Sequence, residues 1–465
     1  VNGLGGLTVQ FLFQSISSSF EAFESGLLFR GGAYSLRAFP LNAGSKTMNT
    51  TEQFQEHVMA TYGRFPLTLV KGQGAKVWDD QGREYLDFCM GIAVCSLGHS
   101  HPRLVSALHE QADKLMHVSN LYLTEPQGLM AQEMNEKDVQ LSGKFFFSNS
   151  GAEANDGLIK SARRYGHLKP QVDGKPRFEV ITFTQSFHGR TLGAMAATGQ
   201  AKIQQGFDPM LPGFRYLPFN DIAALENAVS NETVAVLLEP VQGEGGVHVA
   251  TKEFLQALDA LRKKHDLLLF FDEVQAGFGR CGNAMAWRAI APEIEPDGIS
   301  WAKGMGGGVP IGAFWLSDRE VDDKGTKLSS LMGPGSHGST YGGNPLVCAV
   351  ALENLREIRE KDLAANAVRQ EQRIRNEIIS WKLPVVTEIR GLGLLLGIGI
   401  NPALIPVEDG ITPALAITKA LMAEGLLVVP AGPETFRLLP PLNVTDEEID
   451  HALAMIKRVL TGFCA

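Results

Sequence analysis

Residues Leu267 to Phe271 read LLLFF, and the run stops on Asp272-Glu273. A strand with one wet face alternates apolar and polar side chains, so a run without alternation is covered on both faces. The pattern recurs along the chain. The segment 144–166, KFFFSNSGAEANDGLIKSARRYG, reads as a strand, a turn of small residues and a helix ending at Gly166. RFEVITFTQSFHGRT (177–191), TVAVLLEPVQGEGG (233–246) and DGISWAKG (297–304) each read as an apolar strand with a polar end. TKEFLQALDALRKKHD (251–266) reads as the helix before the LLLFF strand. Covered strands alternating with helices predict an α/β chain, with a large, mostly parallel sheet and helices on both faces.

The rhythm changes after about residue 350. A helical region spans Cys348 to Trp381, and strand-like VVTEIRGLGLLLGIGI (385–400) and FRLLPPL (436–442) follow. A last helix starts near Asp446, where Thr445 and Glu448 fit a capping box. This predicts a smaller α+β domain over 348–465 after a large sheet domain over 101–347. Residues 48–100 are expected to join the small domain. Within them VWDDQGREYLDF (77–88) reads as two short strands around a turn at Gln81-Gly82, and HPRLVSALHEQADKLM (101–116) as a helix with Pro102 in its first turn. Residues 1–47 are rich in Gly, Ser and Phe and hold no Met; the first is Met48. They are expected to be a non-native or disordered extension.

The totals exclude several functions. A net charge of −9 with no basic block argues against nucleic acid. No run approaches the roughly 18 apolar residues of a membrane span. Five scattered cysteines without a C-x-x-C pair read as free thiols in a reducing compartment, so a cytoplasmic location is expected. VKGQGAKVW (70–78) lacks the spacing and hydroxyl of a nucleotide-binding P-loop. His99 and His101 have no further ligand at metal spacing, so no metal is expected. GLGLLLG (391–397) lacks the helix of a dinucleotide loop and reads as a strand packed closely through glycines.

In an open parallel sheet, ligands bind beyond the carboxyl ends of the strands. The polar residues gather at those ends: Ser148 to Gly151, His188 to Arg190, Glu239 to Glu244, Asp272-Glu273 and Lys303. The turn at Ser150 opens a helix whose first N–H groups can hold a phosphate. A buried carboxylate such as Asp272 wants a cation or a set of donors. A lysine shielded from water has a lowered pKa and attacks aldehydes. A phosphorylated aldehyde whose ring nitrogen needs an acid is pyridoxal phosphate. The glycines at 304 and 306–308 are expected to let backbone pass close to it and to leave Lys303 free to swing.

At these residues the chain resembles the class III pyridoxal-phosphate aminotransferases of fold type I. The motifs run in order over roughly residues 52–460: GIAVCSLGHSHP, SNSGAEAN, FHGRTLGAMAATG, EPVQGEGGV, FFDEVQAGFGR, AKGMGGGVPIGA, HGSTYGGNP and FRLLPPL. The resemblance implies roles. Lys303 should bond the cofactor's aldehyde and then move a proton between Cα and C4′, while Asp272 meets the ring nitrogen. Gln275 should meet the ring 3-hydroxyl, and Phe187 and Val274 the two ring faces. Ser150, Gly151 and Ala152 should hold the phosphate, with His188 also among the cofactor-binding residues. Thr340 should reach the phosphate in the neighbouring subunit, which implies an obligate homodimer with shared active sites. Arg190 should bind a substrate carboxylate. Arg437 should bind the α-carboxylate of glutamate or 2-oxoglutarate, with Glu244 masking it otherwise.

The implied reaction is ping-pong transfer from a small-molecule amine donor to 2-oxoglutarate. N2-acetylornithine is the foremost donor, which would place the reaction in arginine biosynthesis. Ornithine, succinylornithine and 4-aminobutyrate are alternatives, as is an aminomutase of the same fold. Ornithine enzymes carry a Tyr shortly before G-H-x-H-P; here the stretch is Gly91-Ile92-Ala93-Val94, which favours an acylated amine.

Overall fold

The computed structural model describes residues 48–464, so the expectation for residues 1–47 lies outside the described residues. The chain divides into two units at Phe65-Pro66. In the first, the helix Thr50–His57 starts at a reciprocal capping box between Asn49 and Glu52.

In the second unit, seven strands form one sheet. Their order across it is 143–148, 312–317, 298–301, 268–272, 233–238, 179–183 and 214–217. Only the strand Gly312–Ser317 runs against the others. Every residue of Glu179–Phe183, Thr233–Leu238, Leu268–Asp272 and Gly298–Trp301 is buried, as runs without alternation require. The parallel strands therefore deliver residues 149–152, 185–190, 239–244, 272–275 and 303 to one edge.

Among the described residues two four-stranded sheets are built from the chain's other parts, besides a two-stranded pairing of Val241–Gln242 with His248–Val249. Strands 69–73, 76–79 and 84–87 are extended by Leu426–Leu427, which runs parallel to Glu84–Asp87. The hairpin of Val386–Leu392 and Leu395–Ile400 pairs with Thr435–Leu438, and this places Arg437 opposite Gly397. The GLGLLLG stretch is thus a strand turn, and a Cβ on Gly393 would lie 2.3 Å from the Arg280 carbonyl oxygen. The last helix, Asp446–Gly462, opens with the Thr445–Glu448 capping box. The helix Pro102–Ala112, which packs against Pro345–Glu360, has Pro102 in its first turn.

Two sequence expectations need correction. The helix after the first sheet strand runs Gly151–Leu168, past Gly166. Gly166 does not end it; an added Cβ would sit 1.8 Å from the Arg177 carbonyl oxygen, so the glycine serves close approach of two backbones. The helical region after residue 345 is two helices, Pro345–Glu360 and Leu363–Ser380. They are separated at Asp362, which takes the left-handed conformation (φ 46°, ψ 49°).

Candidate active site

The sheet edge opens into a cavity of about 450 Å³. Ser150, Gly151, Ala152, Phe187, His188, Arg190, Asp272, Val274, Gln275 and Lys303 all line it. Ser150 is the N-cap of the Gly151–Leu168 helix, and its Oγ accepts the Glu153 N–H at 3.3 Å. The Glu153 carboxylate reaches back to the Asn149 N–H at 2.7 Å and fixes the turn. The N–H groups of Gly151 and Ala152 at this helix start have no intrahelical acceptor and face a negative ligand favourably. A Cβ on Gly151 would lie 2.7 Å from Val274, so the turn and the Asp272 loop close on each other through a glycine.

Asp272 ends its strand buried. Its Oδ2 accepts the Asn155 amide at 2.7 Å and lies 2.8 Å from His188 Nδ1. Its Oδ1 accepts the Val274 N–H at 3.0 Å. Among the described residues no Arg or Lys pairs with it; its only ionisable partner is His188. Asn155 is held in turn by the Ser300 hydroxyl at 2.6 Å. Lys303 lies half-buried just beyond the end of the neighbouring parallel strand, with no hydrogen-bond or ion-pair partner among the described residues. Burial pushes its pKa below the usual lysine value, although Glu244 pulls the other way.

Glu239 also lines the cavity, and its carboxylate accepts the Phe187 N–H at 2.9 Å and the Gly243 N–H at 3.3 Å. Burial pushes its pKa up to about 7. Beside the cavity, Glu244 makes a two-pronged pair with Arg437, Oε1 to Nη1 at 2.8 Å and Oε2 to Nη2 at 2.9 Å. Gln275 joins them: its Oε1 accepts from Arg437 at 2.7 Å, and its Nε2 donates to Glu244 at 3.1 Å. Burial alone would raise the Glu244 pKa; Arg437 and Lys303 outweigh it and hold the carboxyl at about 2. Arg190 is exposed at the cavity mouth, with its guanidinium 5.6 Å from the Phe187 ring centroid. Thr340 is exposed and is not a wall of this cavity.

Sequence reasoning missed Asn155. Asn155 had a signal, a polar residue among Ala154, Leu158 and Ile159 on a buried helix face. Val94, the last residue of the stretch read as favouring an acylated amine, lies on the cavity wall.

A lysine whose pKa burial lowers, a buried acid lacking a fixed cation and a helix start open to phosphate surround one space. Pyridoxal phosphate, with its aldehyde, ring nitrogen and phosphate, answers all three needs, and enzymes that hold it on a sheet of this kind are of fold type I. The family model "Aminotransferase class-III" matches residues 58–460. The chain belongs to that family and is a pyridoxal-phosphate-dependent aminotransferase.

Curated relatives include the acetylornithine aminotransferase of Thermosynechococcus vestitus, 43% identical over 90% of this chain and 98% of that protein. The acetylornithine aminotransferase of Caldanaerobacter subterraneus subsp. tengcongensis is 44% identical over 88% and 98%. Among solved structures, N-acetylornithine aminotransferase from Stenotrophomonas maltophilia K279a superposes with a TM-score of 0.71 at 38% identity, covering 86% of this chain and 97% of that one. Ornithine aminotransferase from Toxoplasma gondii ME49 gives 0.81 at 32% identity, over 90% and 96%.

Proposed function

We propose that the chain transfers the δ-amino group of N2-acetylornithine to 2-oxoglutarate, yielding N-acetylglutamate semialdehyde and then glutamate, as a cytoplasmic step of arginine biosynthesis. The observation that carries this reading is the Glu244–Arg437 pair. A donor whose reacting amine has no carboxylate beside it needs that arginine silenced. Glutamate and 2-oxoglutarate need it exposed. A carboxylate that can swing off a guanidinium serves both halves of a ping-pong cycle in one pocket. The names of the relatives support the same donor.

Pyridoxal phosphate supplies an electron sink that loosens the C–H bond beside the donor amine. The protein's own groups do the rest. Lys303 Nζ takes the proton from that carbon. Asp272 would hold the positive charge at the ring nitrogen, and His188 and Asn155 hold Asp272. The N–H groups of Gly151 and Ala152 and the Ser150 hydroxyl would take the phosphate. Phe187 and Val274 would confine the ring and exclude water from its faces. Gln275 keeps a second amide hydrogen, beyond the one given to Glu244, for the ring hydroxyl. Arg190 at the mouth takes the donor's carboxylate as a planar fork. Val94 gives the donor side a wall without a hydroxyl, which suits an acylated amine better than free ornithine.

The proposal includes a homodimer in which Thr340 serves the neighbouring site. The Thr340 loop is braced by Asn120, whose amide donates to Ser339 at 3.2 Å and Gly342 at 2.9 Å. The adjoining Leu121 and Leu123 are 88% and 101% exposed, an apolar surface that a second copy would cover. The test of the reading is a donor panel with 2-oxoglutarate as acceptor. Acetylornithine should give the highest kcat/KM, ahead of succinylornithine, ornithine and 4-aminobutyrate. Ornithine as the best donor would overturn it.

A further inference from the structure

The turn that carries Lys303 is not held by its own backbone alone. The strand Gly298–Trp301 ends, Ala302 takes φ −165° and ψ −139°, and Lys303 enters the left-handed region at φ 41°. A residue with a side chain adopts that conformation only where its surroundings impose it. The turn's internal bonds are Met305 N–H to the Ala302 carbonyl at 2.9 Å and Gly306 N–H to the Lys303 carbonyl at 3.0 Å. The carbonyls of Gly304 and Met305 are met from outside. Asn354, fully buried on the Pro345–Glu360 helix, donates from Nδ2 to the Gly304 carbonyl at 2.8 Å and the Met305 carbonyl at 3.1 Å. Ser96 Oγ also donates to the Gly304 carbonyl at 3.1 Å.

The glycines after Lys303 fit this arrangement. A Cβ on Gly304 would lie 2.7 Å from Ser96 Oγ, and one on Gly307 would lie 2.6 Å from Asn354 Oδ1. Their smallness admits the clamps.

We propose that Asn354 is a positioning residue for Lys303, spending both amide hydrogens on the next two carbonyls so that the strained turn keeps the amine aimed into the cavity. The two bonds from Nδ2 are the side chain's only hydrogen bonds among the described residues; its Oδ1 is buried without a partner. Asparagine is a poor helix former, and Val350, Ala351, Leu355 and Ile358 around it are buried and apolar. The proposal rests on the reading of Lys303 as the cofactor's covalent partner, and the controls separate the two.

The experiment strips the full-length enzyme of cofactor, adds pyridoxal phosphate and follows uptake by visible absorbance in wild type, Asn354→Leu, Asn354→Asp and Lys303→Ala. Leucine approximates the volume without donors, and aspartate keeps the shape but cannot donate. Thermal melting of each cofactor-free chain reports folding, and whichever Asn354 variant folds decides the matter. The pH dependence of Lys303 labelling by an amine-acylating reagent, read by mass spectrometry, reports the amine's surroundings. Lys303→Ala should lose the visible band of the attached cofactor. The folded Asn354 variants should keep it but form it about tenfold more slowly, with the labelling midpoint of Lys303 moved toward that of a free lysine. Wild-type attachment rate and labelling in a folded Asn354 variant overturn the proposal. A band that survives in Lys303→Ala overturns the reading beneath it instead.

Discussion

Replacing Glu244 should redistribute the enzyme's preference between its two half-reactions. The carboxyl moves from the ordinary 4.5 to about 2 beside Arg437. At 1.36 kcal/mol per unit this is about 3 kcal/mol in favour of the ionised, paired form. It is an upper bound on what glutamate must displace. In Glu244→Ala that obstacle is gone. Arg437, fully buried, is left with the Gln275 and Pro430 oxygens alone. Glutamate then gains a waiting guanidinium, while acetylornithine meets an unmasked charge. Discounting for strain around the unpaired arginine, the ratio of kcat/KM for glutamate over acetylornithine should rise roughly ten- to a hundredfold. Glu244→Gln, which keeps one acceptor, should fall between.

The assay is single-turnover reduction of cofactor absorbance with each donor separately, at matched cofactor occupancy. The sign of the pH effect follows from the same shift. A depressed carboxyl contributes its pairing in full above about 4.5 and loses it as the pH falls toward about 2. The wild-type ratio should therefore stay flat through the neutral range as far as this pair is concerned. An unchanged ratio in Glu244→Ala with cofactor bound refutes the masking argument outright.

Two further outcomes probe the scaffold. Glu273 is buried and accepts the Ala286 and Trp287 N–H groups at 2.8 and 2.9 Å, and burial lifts its carboxyl from 4.5 to about 7. A raised acid favours the folded state fully below its unfolded value and loses that advantage as the pH climbs through the folded one. Wild type should lose stability between about pH 4.5 and 7, on the order of a few kcal/mol, and Glu273→Gln should flatten that slope in urea titrations at several pH values; an equal slope counts against it. Gly166→Ala should cost about 2 kcal/mol or more, because its Cβ would lie 1.8 Å from the Arg177 carbonyl oxygen. An unchanged urea midpoint would show that the backbones separate freely.

The large sheet was legible because burial on both faces removes the polar alternation, and LLLFF or TVAVLL can then be little else. The rim was legible for a related reason: where such a run ends on Asp272 or Lys303, the polar group has nowhere to sit but the strand's mouth. Helix ends were less so. Gly166 has the composition of a stop and the job of a spacer, and only the Arg177 backbone beside it distinguishes the two. Conversely, the break at Asp362 has no glycine or proline to announce it.

The site's polar scaffolding shows where local reading fails. Glu244 and Arg437 lie 193 residues apart, and only the family likeness brought them together; nothing in either neighbourhood points to the other. Asn155 and Asn354 are different. Each interrupts an apolar helix face, and a buried amide must be satisfied or pay in stability. The sequence therefore states that each has a partner while withholding which. The partners are the acid at 272 and the turn at 303, the two groups on which the chemistry depends. A polar break in an apolar stripe is thus a directional clue in a chain of this class. It marks a helix that reaches into the active site from behind, and the place to look for its partner is the nearest strand end carrying an ionisable residue.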